Sequence, residues 1–154
     1  MADSPLKPEE LEGYRVRLKN VFISGVIAGE DKLSRQQYLT WINNNFTHYK
    51  IDKVEQLCNG EAYIDMFNKL FPRTIPQGTI IRGLKQTEDK NLHNWKVLQQ
   101  AFRKVGVDKL IDVTDIIKGK IMPNFDFLQW WKKFYDANID AAKAEQRRKE
   151  RLAK

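Results

Sequence analysis

Beyond residue 34, apolar residues return at three- and four-residue steps, and no two consecutive segments alternate with period two. The spacing predicts a helix opening at Ser34, three residues ahead of Gln37 as in a capping box. Tyr38, Trp41 and Ile42 then share a face, with Leu39 and Phe46 beside it. "DKVE" repeats the logic: Asp52 is expected to cap and Glu55 to reach back. Ala62, Tyr63, Met66, Phe67 and Leu70 keep helical spacing until Pro72 ends the run. Residues 72–86, punctuated by Pro72, Pro76, Gly78 and Gly83, read as a loop. Thr87 is placed to cap a long helix from about Glu88, with Leu92, Trp95, Leu98, Phe102 and Val105 inside and Gly106 as its stop. "DVTDIIKG" predicts a short helix between Asp112 and Gly119. Before Ser34 the pattern is weaker. Residues 1–13, rich in Pro and Glu, read as disordered. Val21, Phe22, Ile23, Val26 and Ile27 fit a short helix or a strand, and Gly25 and Gly29 weaken both. An extra element packed on the main domain is expected within residues 14–33.

The last core helix is the stretch "NFDFLQWWKKFYDAN", Asn124 to Asn138. Its six aromatic rings could stack on a nucleic acid or fill a core. Phe127, Trp130, Trp131 and Phe134 fall at i, i+3, i+4 and i+7, widened by Leu128 and Tyr135, which is one buried stripe. A stacking platform would expose that stripe, and soluble chains rarely leave so large an apolar patch uncovered. Core packing is therefore favoured, with Trp41, Trp95, Phe102, Phe127, Trp130, Trp131 and Phe134 as its large members. The resulting organisation is an all-α domain of four main helices plus short ones over residues 34–140, an N-terminal extension over 1–33 that is partly disordered, and a basic linker or the start of a charged helix over 141–154.

Composition narrows the chemistry. A hydrophobic share of 42% in 154 residues supports one domain with a substantial core. No run of about 18 apolar residues is present, so no spanning helix and no membrane partner are expected. The polar, acidic start argues against a secretory signal, and the single Cys58 excludes an internal disulfide, which favours a reducing compartment. The net charge of +7 is uneven: Lys143 to Lys154 holds six basic and two acidic residues, so the body is only mildly basic. This suggests an acidic partner without naming it.

Catalytic groups are scarce. His48 and His93 lie in unrelated contexts, and Cys58 has no histidine at ligand spacing, so no metal site is expected. Cys58, between apolar neighbours, reads as a small buried side chain rather than a reactive thiol. Asp112 and Asp115 resemble a carboxylate pair, but their place at a helix start makes capping the better account. No phosphate-cradling glycine loop and no zinc-finger, RNP-type or KH-type signature is present, so neither a cofactor nor nucleic acid is expected.

Five stretches now stand together in order: "SRQQYLTWIN", "KVEQLCNGEAYIDMFNKLFP", "NWKVLQQAFRKVGVDKLI", "IIKGK" and "NFDFLQWWKKFYDAN". Over about Ser34 to Asp140 they resemble the N-terminal calponin-homology domain of the end-binding family of microtubule plus-end tracking proteins. The resemblance implies one calponin-homology domain around a Trp-rich core and a non-catalytic module that recognises growing microtubule ends and regulates their dynamics. It implies a cytoplasmic, cytoskeletal location at plus ends and the spindle, and an acidic tubulin surface as partner. Matched position by position, Arg35, Lys109, Lys118, Lys120 and Asn124 are its implied contacts. The loop "PQGTIIRGLK" stands where the family carries a lysine-rich segment, leaving Arg82 and Lys85 as that loop's contacts. Met122, Pro123 and Asn124 stand where the family often has "QDN". Residues 141–154 show no sustained heptad, so dimerisation is expected only if a coiled coil exists beyond this chain. An actin-binding or signalling-adaptor calponin-homology domain is the alternative.

Overall fold

The structure is a computed structural model that describes residues 4–22, 33–84 and 87–153. Among these residues every regular element is helical: α1 (Pro8–Arg17), α2 (Arg35–Asn45), α3 (Glu61–Leu70), α4 (Glu88–Val105), α5 (Val113–Ile116) and α6 (Ile121–Leu152), with 3-10 turns at Val54–Asn59 and Gln77–Thr79. The all-α expectation holds. Of the predicted start signals, three act as expected. The Ser34 hydroxyl accepts from the Gln37 N–H at 3.1 Å while Gln37 reaches back to the Ser34 N–H. Thr87 caps α4 through the Lys90 N–H, and Asp112 caps α5 through the Asp115 N–H. The fourth differs. Asp52 does not cap, and it is Gln56 rather than Glu55 that reaches back, accepting from the Asp52 and Lys53 N–H groups at 2.7 and 3.1 Å. The segment is a 3-10 turn, whose three-residue step brings Gln56 under Lys53.

The core forms where α3, α4 and α6 cross. Tyr63, Trp95 and Phe127 meet edge-on or tilted, with ring centroids 4.7–5.5 Å apart, and Trp131 closes on Tyr63 at 5.3 Å. Such edge-on contacts set the positive ring edge against a neighbour's negative face. Trp95, Trp131 and Phe134 are fully buried, and Phe102, Phe127 and Trp130 nearly so. Trp41 packs against this core but is only half-buried, edge-on to Tyr135 with the Lys132 ammonium 5.3 Å from its centroid. Gly60 precedes α3 with φ +74°, and a Cβ there would meet the Trp95 indole nitrogen at 3.3 Å, so both conformation and space favour glycine.

Loops are held by a recurring device. Four helical asparagines each offer both ends of the carboxamide to one loop residue's N–H and C=O: Asn43 to Ile51, Asn68 to Ile75, Asn94 to Ile81 and Asn138 to Lys19. All eight bonds are 2.8–3.0 Å. The carboxamide replaces a neighbouring strand, so extended backbone satisfies its polar groups without a sheet.

The N-terminus departs from expectation. Residues 8–13, read as disordered, are the first turns of α1, with Pro8 at the first helical position and Glu10 accepting from the Lys7 N–H. Tyr14 buries itself and donates to the Pro72 carbonyl at 2.8 Å; burial first, then the Glu145 charge, pushes its hydroxyl up to about 12. Arg73 pairs with Glu10, and Arg17 pairs with Glu145 while donating to the Leu70 carbonyl. Residues 18–22 continue as an extended strap along α6, which is the extra packing expected of 14–33. Ile23, Gly25, Val26, Ile27 and Gly29 of that expectation lie outside the described residues. At the other end α6 runs unbroken to Leu152, so residues 141–152 take the charged-helix form of the two expected.

Candidate functional site

The loop between α4 and α5 is built on a helix stop. Gly106, at φ +98°, ends α4, and the N–H groups of Gly106 and Val107 both close on the Phe102 carbonyl at 2.8 Å. Val107 turns inward and anchors the loop, so Lys109 and Leu110 emerge side by side. The Lys109 ammonium lies 5.4 Å from the centroid of Trp130, which stacks on Phe134 and leans on Phe102 in the core. Burial lowers the Lys109 pKa, and the Asp126 carboxylate opposes that shift. Among the described residues no carboxylate comes within ion-pair distance of this ammonium, so its charge is not used up inside the protein. Leu110 is 94% exposed. With Met122 and Pro123 from the first turn of α6 it borders a hollow of about 200 Å³, rimmed by Lys109, Asp112 and Asp126.

The remaining expected contacts divide. Lys118 is exposed, and Lys120 is exposed but paired with Asp115 at 2.9 Å. Arg35 is exposed with its guanidinium 5.7 Å from the Phe125 centroid, so it too rests on a ring of α6. Asn124 is a correction. It is 1% exposed, and its amide donates to the Ile116 and Lys120 carbonyls at 3.1 and 2.8 Å. It clamps α5 to α6 from within. Arg82 is held by Asp65 through two bonds of 2.6 and 3.0 Å, by the fully buried Glu61 at 3.0 Å and by Gln77. Its cation is spent inside the fold. Lys85 lies outside the described residues.

Sequence reasoning missed Leu110 and Met122. The available signal was a pair of large apolar residues outside any helical stripe. It also missed Asn20, whose Nδ2 donates to the Gly106 carbonyl at 3.1 Å and whose Oδ1 accepts from the Asp108 N–H at 2.9 Å. Elsewhere, the half-buried Cys58 takes a 3.6 Å contact from the Asn91 amide, and burial pushes its thiol up, away from the reactive thiolate. His48 pairs with Asp65, and His93 meets the Thr79 carbonyl. Among the described residues no group of three or more His, Cys, Asp or Glu could hold a metal ion, and no helix is long and apolar enough to cross a membrane.

The calponin homology (CH) domain family matches residues 32–140. This chain belongs to that family. The matched span of the CH domain takes in α2 to α5, the aromatic half of α6 and the Lys109 loop. Helix α1, the strap and the end of α6 lie outside it. A solved structure described as "Structural Basis of Microtubule Plus End Tracking by XMAP215, CLIP-170 and EB1" is similar to the CH domain, with 27% identity and a TM-score of 0.63. The similarity covers 72% of this chain and 98% of that one. Together these two likenesses bear out the resemblance of this CH domain to the end-binding type.

Proposed function

We propose that the protein is a non-catalytic microtubule-binding module that recognises growing microtubule ends through the Lys109 loop. The observation that carries this reading is the state of Lys109: a cation seated on Trp130, unpaired among the described residues, beside the exposed Leu110. An ammonium held that way has already lost much of its freedom and part of its hydration, so meeting an acidic partner costs it less than it would cost a free surface lysine. Leu110 and Met122 add apolar area at the centre, while Arg35, Lys118 and Lys120 supply a positive rim that speeds encounter and weakens with salt. The likeness to a structure from work on plus-end tracking supports tubulin as the partner and a cytoskeletal location.

The test is co-sedimentation of the wild type and Lys109→Glu with microtubules and, separately, with filamentous actin. The wild type is expected to pellet with microtubules, less as salt rises, and the variant to lose most of that binding. Unchanged binding of the variant, or preference for actin, would overturn the reading. Imaging the labelled chain on dynamic microtubules then scores ends against lattice.

A further inference from the structure

The described part of the strap ahead of the CH domain reaches the Lys109 loop. Asn20 spans the loop's entry, donating to the Gly106 carbonyl and accepting from the Asp108 N–H, the residue next to Lys109. One position on, the Val21 carbonyl accepts the indole N–H of Trp130 at 3.0 Å, and Trp130 is the ring under the Lys109 ammonium. The strap therefore touches both things that place Lys109: the backbone it hangs from and the ring it rests on. Upstream, Asn138 takes both polar groups of Lys19, Arg17 is fixed by Glu145 and Leu70, and Tyr14 is fixed by Pro72. These contacts keep the strap's last residues in register with the loop.

We propose that Asn20 is a positioning residue for partner binding, holding the Asp108–Lys109 backbone so that the ammonium stays on Trp130. This rests on the reading of Lys109 as a microtubule contact and extends it to a segment outside the CH domain. Asn20 is exposed and its bonds are at the surface, so its removal leaves the core untouched. Without the bracket, the loop beyond Gly106 gains backbone freedom that binding must then remove.

The test is a double-mutant cycle in the full chain, with affinity for microtubules assembled from purified tubulin as the readout. Asn20→Ala is expected to weaken binding about fivefold, the worth of a typical hydrogen bond. In a Lys109→Ala background the same change is expected to have almost no effect, because the lysine it positions is gone. Amide exchange at Asp108 is expected to quicken in Asn20→Ala, while the melting temperature stays within a few degrees. An equal loss in both backgrounds, or none in the wild type, overturns the positioning role while leaving Lys109 as a contact. If Lys109→Ala itself binds as well as the wild type, the reading of the loop as the contact surface falls, and the role of Asn20 with it.

Discussion

The loop after α3 and the loop after α4 each present a cation that sequence alone ranks as a partner contact, and the two cations lead opposite lives. Arg82 is bound by Asp65, Glu61 and Gln77, and the Glu61 carboxylate it neutralises is fully buried and also accepts from the Tyr49 hydroxyl and the Gly83 N–H. Lys109 rests on an indole, with Asp126 felt only at a distance. A buried carboxylate demands a counter-charge, since its desolvation is otherwise uncompensated, and the nearest planar cation is drawn into the fold. An aromatic face attracts a cation without cancelling its charge. What a basic residue can offer a partner thus depends on what lies beneath it, not on its charge.

The sharpest way to break this contrast is Arg82→Met. It leaves Glu61 buried without its cation and is expected to cost about 3 kcal/mol in chemical denaturation, while binding per folded molecule is unchanged. If stability held and binding fell, Arg82 would belong with Lys109. Lys109→Glu is expected to do the reverse: at least about tenfold weaker microtubule binding, with a melting temperature close to the wild type. A smaller effect distinguishes the rim. Lys120→Ala, which removes an ammonium already paired with Asp115, is expected to change affinity by about twofold or less at physiological salt. Loss comparable to Lys109→Glu would show that pairing does not decide which cation is used.

The smallest effect belongs to the strap's own anchor. Burial would raise the Glu145 carboxyl, but Lys149 and Arg17 together hold it below its ordinary value of 4.5. A carboxylate depressed in the folded state contributes stability that is present above its unfolded pKa and lost as pH falls through the folded one. Glu145→Gln is therefore expected to lower the melting temperature by about 2 °C at pH 7, and the difference from the wild type is expected to shrink as the pH falls below 4.5. A difference that persists in acid would assign the effect to packing instead.

Helices that bury a wide stripe were legible. Those of α3, α4 and the first half of α6 face one core, and the caps of α2, α4 and α5 at Ser34, Thr87 and Asp112 act on backbone groups three residues on, so local sequence carries the whole interaction. Helix α1 was not legible because it buries only Tyr14 and is otherwise held by long-range bonds to Pro72 and Arg73. Asn124 misled for a related reason: the resemblance put it among the partner contacts, yet its amide satisfies carbonyls at the junction of two helices.

By itself, then, the order of apolar and capping residues determined the helices, the aromatic core and the kind of domain they build, because each of those rests on short-range spacing and on burial that spacing can forecast. Which charges remain free was decided only by the tertiary structure. Arg82 meets Glu61 across 21 positions and Asn20 meets Asp108 across 88, and electrostatic pairing depends on distance in space, which a one-dimensional pattern does not carry.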